Sequence, residues 1–104
     1  MRSTAEQWAL GDRALAAEPV GRSGPRGGVG DRLDALADEL GVDRKLLRVL
    51  RGVANDWPKG KRNKKLPWAV HNVLRSAPDR YELIKDSTLT VRSARELLTS
   101  RRAS

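Results

Sequence analysis

Residues 33–52 constrain the fold most, because they hold two amphipathic helical patterns on either side of one glycine, LDALADELGVDRKLLRVLRG. Gly41 ends the first pattern, where a residue without a Cβ atom can take positive φ, and the small Ala37 lets two crossing helices approach closely. Asp43 is a natural N-cap for the second helix. One apolar stripe runs through both patterns: Leu33, Leu36, Leu40, Val42, Leu46, Leu47 and Leu50. We therefore predict two short helices that pack against each other across a tight turn.

The outward face of the second predicted helix is basic, with Arg44, Lys45, Arg48 and Arg51. A short, capped, basic helix that follows a glycine turn has the geometry of a recognition helix in a DNA major groove. The same pattern also occurs in helical bundles that bind nothing, where the basic residues are simply solvated. The spacing of the small residue, the glycine and the flanking apolar residues favours a helix-turn-helix over a generic helical hairpin.

The net charge of +8 is concentrated in one stretch of the chain. Residues 44–65 contain nine of the 21 Lys and Arg residues but only one of the 13 acidic residues, Asp56. Such a block, which begins on the predicted recognition helix, is an electrostatic footprint for phosphate. An acidic protein or an anionic membrane could bind the same block, although Pro58 and Gly60 interrupt the continuous helix that membrane binding needs.

Composition predicts one small all-α domain of about five to six helices that contains the helix-turn-helix. The chain has 104 residues with three Trp, one Tyr and no Phe, so we expect a core of Leu, Val and Ala. It has no cysteine for a disulfide or a thiolate metal site, and no apolar run fit for a signal peptide or a membrane span. We expect a cytoplasmic protein that is associated with the nucleoid.

The sequence predicts three segments: an N-terminal helix, a flexible linker, and a DNA-binding domain with C-terminal helices. In order, they are residues 1–18, 19–30 and 31–104. Ser3 or Thr4 starts the first helix, which runs to about Ala17 and is stopped by Pro19. Its role is expected to be structural.

The predicted linker has five glycines and two prolines in twelve positions, which regular structure does not tolerate. It lacks the Gly-Lys-Ser/Thr ending of a nucleotide-binding loop, so the glycines are not expected to hold a nucleotide. Arg22 and Arg26 belong either to a flexible arm that reaches DNA or to a solvated linker.

Residues 59–65, KGKRNKK, hold five basic residues in seven positions. Because they are too polar to bury, we predict an exposed loop that contacts DNA phosphates. The alternative is a solvated turn, or one that is disordered without a partner. Helices are predicted behind it in residues 66–77, in residues 79–85 with Asp79 as the cap, and after the N-cap Thr90. The apolar side of the last helix either completes the core or forms a dimer seam.

No feature of the sequence predicts an enzyme. His71 is the only histidine, and without a second ligand at metal spacing it is expected at the surface or the edge of the core. With no cysteine and no phosphate loop, the usual nucleophile and general-base arrangements cannot be assembled. We expect no catalytic residue, no metal and no cofactor.

Three stretches, LADELGVDRKLLRVLRGVA, PWAVHNVLRSAPDRYELI and LTVRSARELL, occur in an order that is similar to the central DNA-binding region of ParB/KorB-class partition proteins. The last stretch matches that class at Leu89, Thr90, Ala94, Arg95 and Leu97. The chain also resembles a group of small actinobacterial proteins of poorly assigned function, through WALGD at residues 8–12 together with Trp57-Pro58 and Val70-His71. The resemblance covers about three quarters of the chain, from Asp31 on, and implies an all-helical domain that binds DNA.

The expected function is sequence-specific binding of double-stranded DNA by a small transcriptional regulator or a plasmid or phage accessory factor. Base contacts are assigned to Arg44, Lys45 and Arg48. Contacts to the DNA backbone are assigned to Arg51, Lys59, Lys61, Arg62, Lys64 and Lys65. The alternatives are a non-specific DNA or RNA binder and a basic adaptor that docks an acidic protein. A homodimer on two half-sites is compatible with the motif.

Overall fold

A computed structural model describes residues 2–19 and 28–103, and in these ranges the protein is all-helical and has no strand. The all-α prediction is therefore confirmed. The six α-helices of the described ranges are α1 (Thr4–Ala17), α2 (Gly28–Leu40), α3 (Arg44–Asp56), α4 (Trp68–Leu74), α5 (Arg80–Leu83) and α6 (Val91–Ala103). A short 3-10 helix covers Lys59–Lys61. None of the helices in the described ranges is long and apolar enough to cross a lipid bilayer.

The first helix has the ends that the sequence predicts. The hydroxyl oxygen of Ser3 accepts the backbone N–H of Glu6 at 3.2 Å, so it caps α1, and the helix ends at Ala17, two residues before Pro19. α2 begins at Gly28, inside the segment that was predicted as a linker. The two arginines assigned to a flexible arm, Arg22 and Arg26, lie outside the described residues.

The turn between α2 and α3 also follows the sequence prediction. Gly41 has a φ of 67°, and the N–H of Val42 donates to the carbonyl of Ala37 at 2.9 Å, which closes α2 with a Schellman motif. Asp43 caps α3 by accepting the N–H of Leu46 at 3.0 Å. Glycine is required at position 41 because a residue with a Cβ atom is strained at that φ.

Contacts within the described chain divide it into two units, residues 1–56 and residues 57–104. In the first unit, α1 packs chiefly on α3, and α2 packs on both. Its core consists of Ala14, Leu33, Ala37, Val42 and Leu47, with Leu10, Leu36, Leu40 and Leu46 packed around it. The predicted apolar stripe therefore faces inward, and α1 supplies the other wall.

The close approach of α1 to α3 depends on Gly11. This glycine is buried, and a Cβ atom built on it would lie 2.5 Å from the carbonyl oxygen of Leu50. That distance is far inside van der Waals contact, so a larger residue does not fit between the two backbones. From sequence alone, a glycine inside a helix indicates only a weaker helix.

The second unit is built on Trp57 and on α4, α5 and α6. Trp57 is fully buried, and α6 packs on α4 with Ala94 also fully buried. Thr90 and Ser93 cap α6 reciprocally, since the hydroxyl of each accepts the backbone N–H of the other at 3.0 Å and 2.8 Å. Asp79 precedes α5 as predicted but makes no capping hydrogen bond, because its carboxylate instead pairs with Arg101 at 2.7 and 2.8 Å.

Candidate nucleic-acid interface

The three residues predicted to contact bases lie at exposed positions of α3. Arg44 forms a bidentate ion pair with Asp38 of α2, to which its Nε and Nη2 atoms donate at 3.1 Å and 2.6 Å. Arg48 donates from Nη2 to the carboxylate of Asp34 at 2.8 Å. Lys45 has no acidic partner within the described part of the chain. Two of the three predicted base-contacting cations are thus neutralised by acids of the preceding helix.

Both ion pairs are open to solvent. The hydrogen bonds from Arg44 lower the pKa of Asp38 below its usual range, and the same contacts raise the pKa of Arg44. The side chain of Arg44 is 56% exposed and that of Arg48 is 48% exposed, so water screens both pairs. Each guanidinium can therefore exchange its carboxylate for another acceptor at small cost.

Two arginines assigned to DNA phosphates bind the protein's own backbone. Nε of Arg51 donates to the carbonyl of Glu18, just past the end of α1, at 2.6 Å. Nε of Arg62 donates to the carbonyl of Trp57 at 2.7 Å. Both arginines are half-buried. A guanidinium suits a carbonyl oxygen as well as a phosphate oxygen, so residue type alone did not separate the two roles.

Residues 59–65, here called the basic segment, are exposed or half-buried and held in a defined backbone conformation. The N–H of Asn63 donates to Nε2 of His71 at 3.1 Å. The side-chain amide of Asn63 donates to the carbonyl of Ile84 at 2.8 Å and to the hydroxyl of Ser87 at 3.0 Å. One asparagine therefore fixes the middle of the basic segment to two other parts of its unit.

The four lysines of the basic segment are exposed and have no acidic partner within the described part of the chain: Lys59, Lys61, Lys64 and Lys65. Lys61 and Lys64 line a pocket of about 400 Å³, on whose other side lie Tyr81 and Lys85. The ammonium of Lys61 lies 5.6 Å from the centre of the Tyr81 ring. Glu82, which also lines the pocket, is paired with Lys85 at 3.1 Å. The pocket is positively charged overall and suits a phosphate group.

The buried side chain of His71 binds the backbone of the basic segment. It is fully buried, its Nδ1 lies 3.0 Å from the carbonyl of Pro67, and its Nε2 accepts the N–H of Asn63. These partners require a neutral ring with the proton on Nδ1. Trp57 donates from its indole nitrogen to the carbonyl of His71 at 2.9 Å and contacts the imidazole edge to face, with ring centres 4.9 Å apart. The histidine is thus in the core rather than at the surface.

We expect stability to fall as the pH drops below about 6.5, the ordinary pKa of histidine. Burial lowers the pKa of His71, so the native state keeps the ring neutral at a pH where the unfolded chain binds a proton. The contribution of the neutral His71 ring to the free energy of unfolding is therefore complete above pH 6.5. It is lost as the pH falls from that value to the lower pKa of the native state. Urea denaturation at pH 7.5, 6.5 and 5.5 measures this loss.

The paired carboxylates of Asp38 and Asp79 do not contribute to that window. Hydrogen bonds from Arg44 and Arg101 lower the pKa values of Asp38 and Asp79, so their contribution disappears only as the pH falls below about 4. Because His71 is the single histidine, its imidazole NMR signal follows the titration directly. A native titration midpoint at or above 6.5 would contradict the prediction.

The aspartates that pair with α3 were missed, although the sequence carries a signal for them. Asp34 and Asp38 are four residues apart on α2, and their partners Arg48 and Arg44 are four residues apart on α3. Opposite charges at equal spacing on two helices that pack against each other can pair across them. The contribution of Asn63 had no such signal, because its partners are distant in sequence.

No family model, no curated protein and no solved structure matches this chain. Within the described residues, no cluster of His, Asp or Glu side chains could hold a metal ion.

Proposed function

We propose that this protein binds double-stranded DNA, with the outer face of α3 in the major groove and the lysines of the basic segment on phosphates. In this proposal Lys45, Arg44 and Arg48 contact base edges, as the helix-turn-helix pattern and the resemblance to ParB/KorB-class proteins imply. Regulation of transcription, or an accessory role on a plasmid or phage, is the corresponding biological role.

The observation that carries the proposal is the ordered basic segment. Four exposed lysines without acidic partners in the described chain project from a backbone that Asn63 holds in place. Concentrated cations of this kind bind polyanions, because they release the counterions that a nucleic acid condenses. The one acid between Arg44 and Lys65 is Asp56, so little negative charge opposes the contact.

For the arginines, the proposal includes an exchange of partners. Arg44 and Arg48 leave the carboxylates of α2 and donate to the O6 and N7 atoms of guanine. Breaking the exposed ion pairs costs little, because they stabilise the free protein only slightly. Once the arginines have left, the DNA phosphates repel Asp34 and Asp38, which weakens binding. In the free protein, the two ion pairs hold Arg44 and Arg48 next to the face of α3 that enters the groove in this proposal.

Selection of bound duplexes from a random pool tests the function, and two substitutions then separate the proposed roles. We expect Arg48→Ala to lose about 1–3 kcal/mol of binding free energy on the selected duplex and to relax specificity at one base pair. We expect Lys64→Ala to weaken all duplexes alike and to lower the slope of log K against log salt by about one.

The outcomes of this experiment distinguish two functions. Equal effects of the two substitutions on selected and random duplexes, or a pool without an enriched sequence, would favour non-specific binding. That second candidate is supported by the ion pairs that occupy Arg44 and Arg48 while the lysines stay available. An inverted repeat in the selected duplex would indicate a homodimer on two half-sites.

We expect Asp34→Asn to tighten DNA binding about three- to tenfold, because it releases Arg48 and removes a second, longer contact to Arg44 at 3.7 Å. The matched control is Glu39→Gln, which removes the same charge from an exposed position of α2 that has no basic partner in the described chain. Fluorescence anisotropy on one duplex compares both variants. If they tighten binding equally, the arginines do not contact DNA.

A further inference from the structure

One large apolar side chain on α3 faces solvent. Val49 is 40% exposed, and no other large hydrophobic side chain in residues 2–19 and 31–101 is exposed to this degree. Leu47, Leu50 and Val53 of the same helix are fully covered, so Val49 lies at the edge of the buried side. A single exposed apolar residue is common on protein surfaces, so its position on the helix is the informative part.

Val49 lies in the part of α3 that carries the predicted base contacts. It follows Lys45 by four residues, which places the two side chains one above the other on the same face. Lys45 and Val49 project from this face, whereas Arg44 and Arg48 turn to the acids of α2. Beside the arginines, the face therefore offers a branched apolar group and a cation, Lys45, that has no acidic partner among the described residues.

The major groove of DNA presents one apolar feature at the base edges, which is the 5-methyl group of a pyrimidine. Thymine supplies this group at each A·T base pair, and 5-methylcytosine supplies it in a methylated duplex. We infer that Val49 is a specificity-determining residue that contacts such a methyl group when α3 occupies the groove. The inference rests on the proposed function, and it adds an apolar contact to the polar contacts assigned above.

Uracil in place of thymine tests the inference, because it removes the methyl group and keeps the hydrogen-bonding edge. In the duplex recovered by selection, each thymine is replaced singly by uracil, and each cytosine singly by 5-methylcytosine. We expect at least one thymine of the selected duplex at which uracil weakens binding about three- to fivefold, the effect of one buried methyl group. If the cytosine series alone shows a methyl effect, then the methyl group is that of 5-methylcytosine.

The variant Val49→Ala completes a double-mutant cycle with the modified duplexes. We expect it to bind the thymine duplex about three- to fivefold more weakly and to lose the difference between thymine and uracil. Alanine favours a helix more than valine, so the fold is retained. Val91→Ala on α6 is the control, and it should keep the full difference.

The result that overturns the inference alone is a selected duplex on which no methyl group affects binding, or on which Val49→Ala keeps the full methyl effect. DNA binding by α3 and the lysines stands in that case. A pool in which no sequence is enriched overturns sequence-specific binding, and with it the inference.

Discussion

The substitution Gly11→Ala is expected to lower the free energy of unfolding by about 2–3 kcal/mol, although alanine is the better helix former. The added Cβ would lie 2.5 Å from the carbonyl oxygen of Leu50 and 3.2 Å from Cβ of Ala54. Neither atom can rotate away, because one is backbone and the other is the whole side chain. α1 must therefore move off α3, which opens the core around Ala14 and Leu47. A fall in Tm of roughly 10–20 °C measures the effect.

Two other glycines provide the controls for this prediction. At Gly60 there is no atom within 4 Å of an added Cβ, so Gly60→Ala should leave the Tm nearly unchanged. Gly41 has equal space but a φ of +67°, so Gly41→Ala should cost about 1–2 kcal/mol through backbone strain alone. A Gly11→Ala protein as stable as the wild type would mean that the two helices are farther apart than described.

The second large effect is expected from Trp57→Ala, which should cost about 3–5 kcal/mol. The indole is fully buried, meets Tyr81 edge to face with ring centres 5.5 Å apart, and donates to the carbonyl of His71. Its own carbonyl holds Arg62 at the centre of the basic segment. We expect chemical denaturation to show the loss of stability and anisotropy to show a parallel loss of DNA affinity.

Trp57→Phe separates packing from hydrogen bonding. Phenylalanine keeps an aromatic ring against Tyr81 but leaves the buried carbonyl of His71 without its donor, so we expect a cost of about 1–3 kcal/mol. DNA affinity should be close to wild type at a temperature where this variant is folded. If the folded Trp57→Ala protein binds DNA as tightly as the folded Trp57→Phe protein, then Trp57 does not hold the basic segment in its DNA-binding position.

Local features of the fold were predictable, because their causes lie within a few residues. The cap of α1 by Ser3, the cap of α3 by Asp43 and the left-handed Gly41 each depend on neighbours at most five positions away. The all-α class followed from helical spacing and from a composition with few aromatics. Ends of the shorter helices were less well placed, with α4 ending at Leu74 rather than at residue 77.

The remaining features depend on contacts between distant residues. The bond from Asn63 to Ile84 and the clash that fixes Gly11 against Leu50 join positions that no short-range pattern connects. For the candidate site, the sequence identified the cationic side chains of α3 and of the basic segment. It did not indicate which of them, such as Arg51, form hydrogen bonds within the protein.

The fixed backbone of the basic segment has a thermodynamic consequence. A lysine-rich tail that is disordered when free must give up about 1–2 kcal/mol of backbone entropy for each residue that a ligand immobilises. Here the hydrogen bonds of Asn63 and His71 have already removed that freedom during folding. Screening by dissolved ions is therefore the main factor that lowers the affinity of these lysines for a polyanion. The entropy cost of ordering the chain on binding is small.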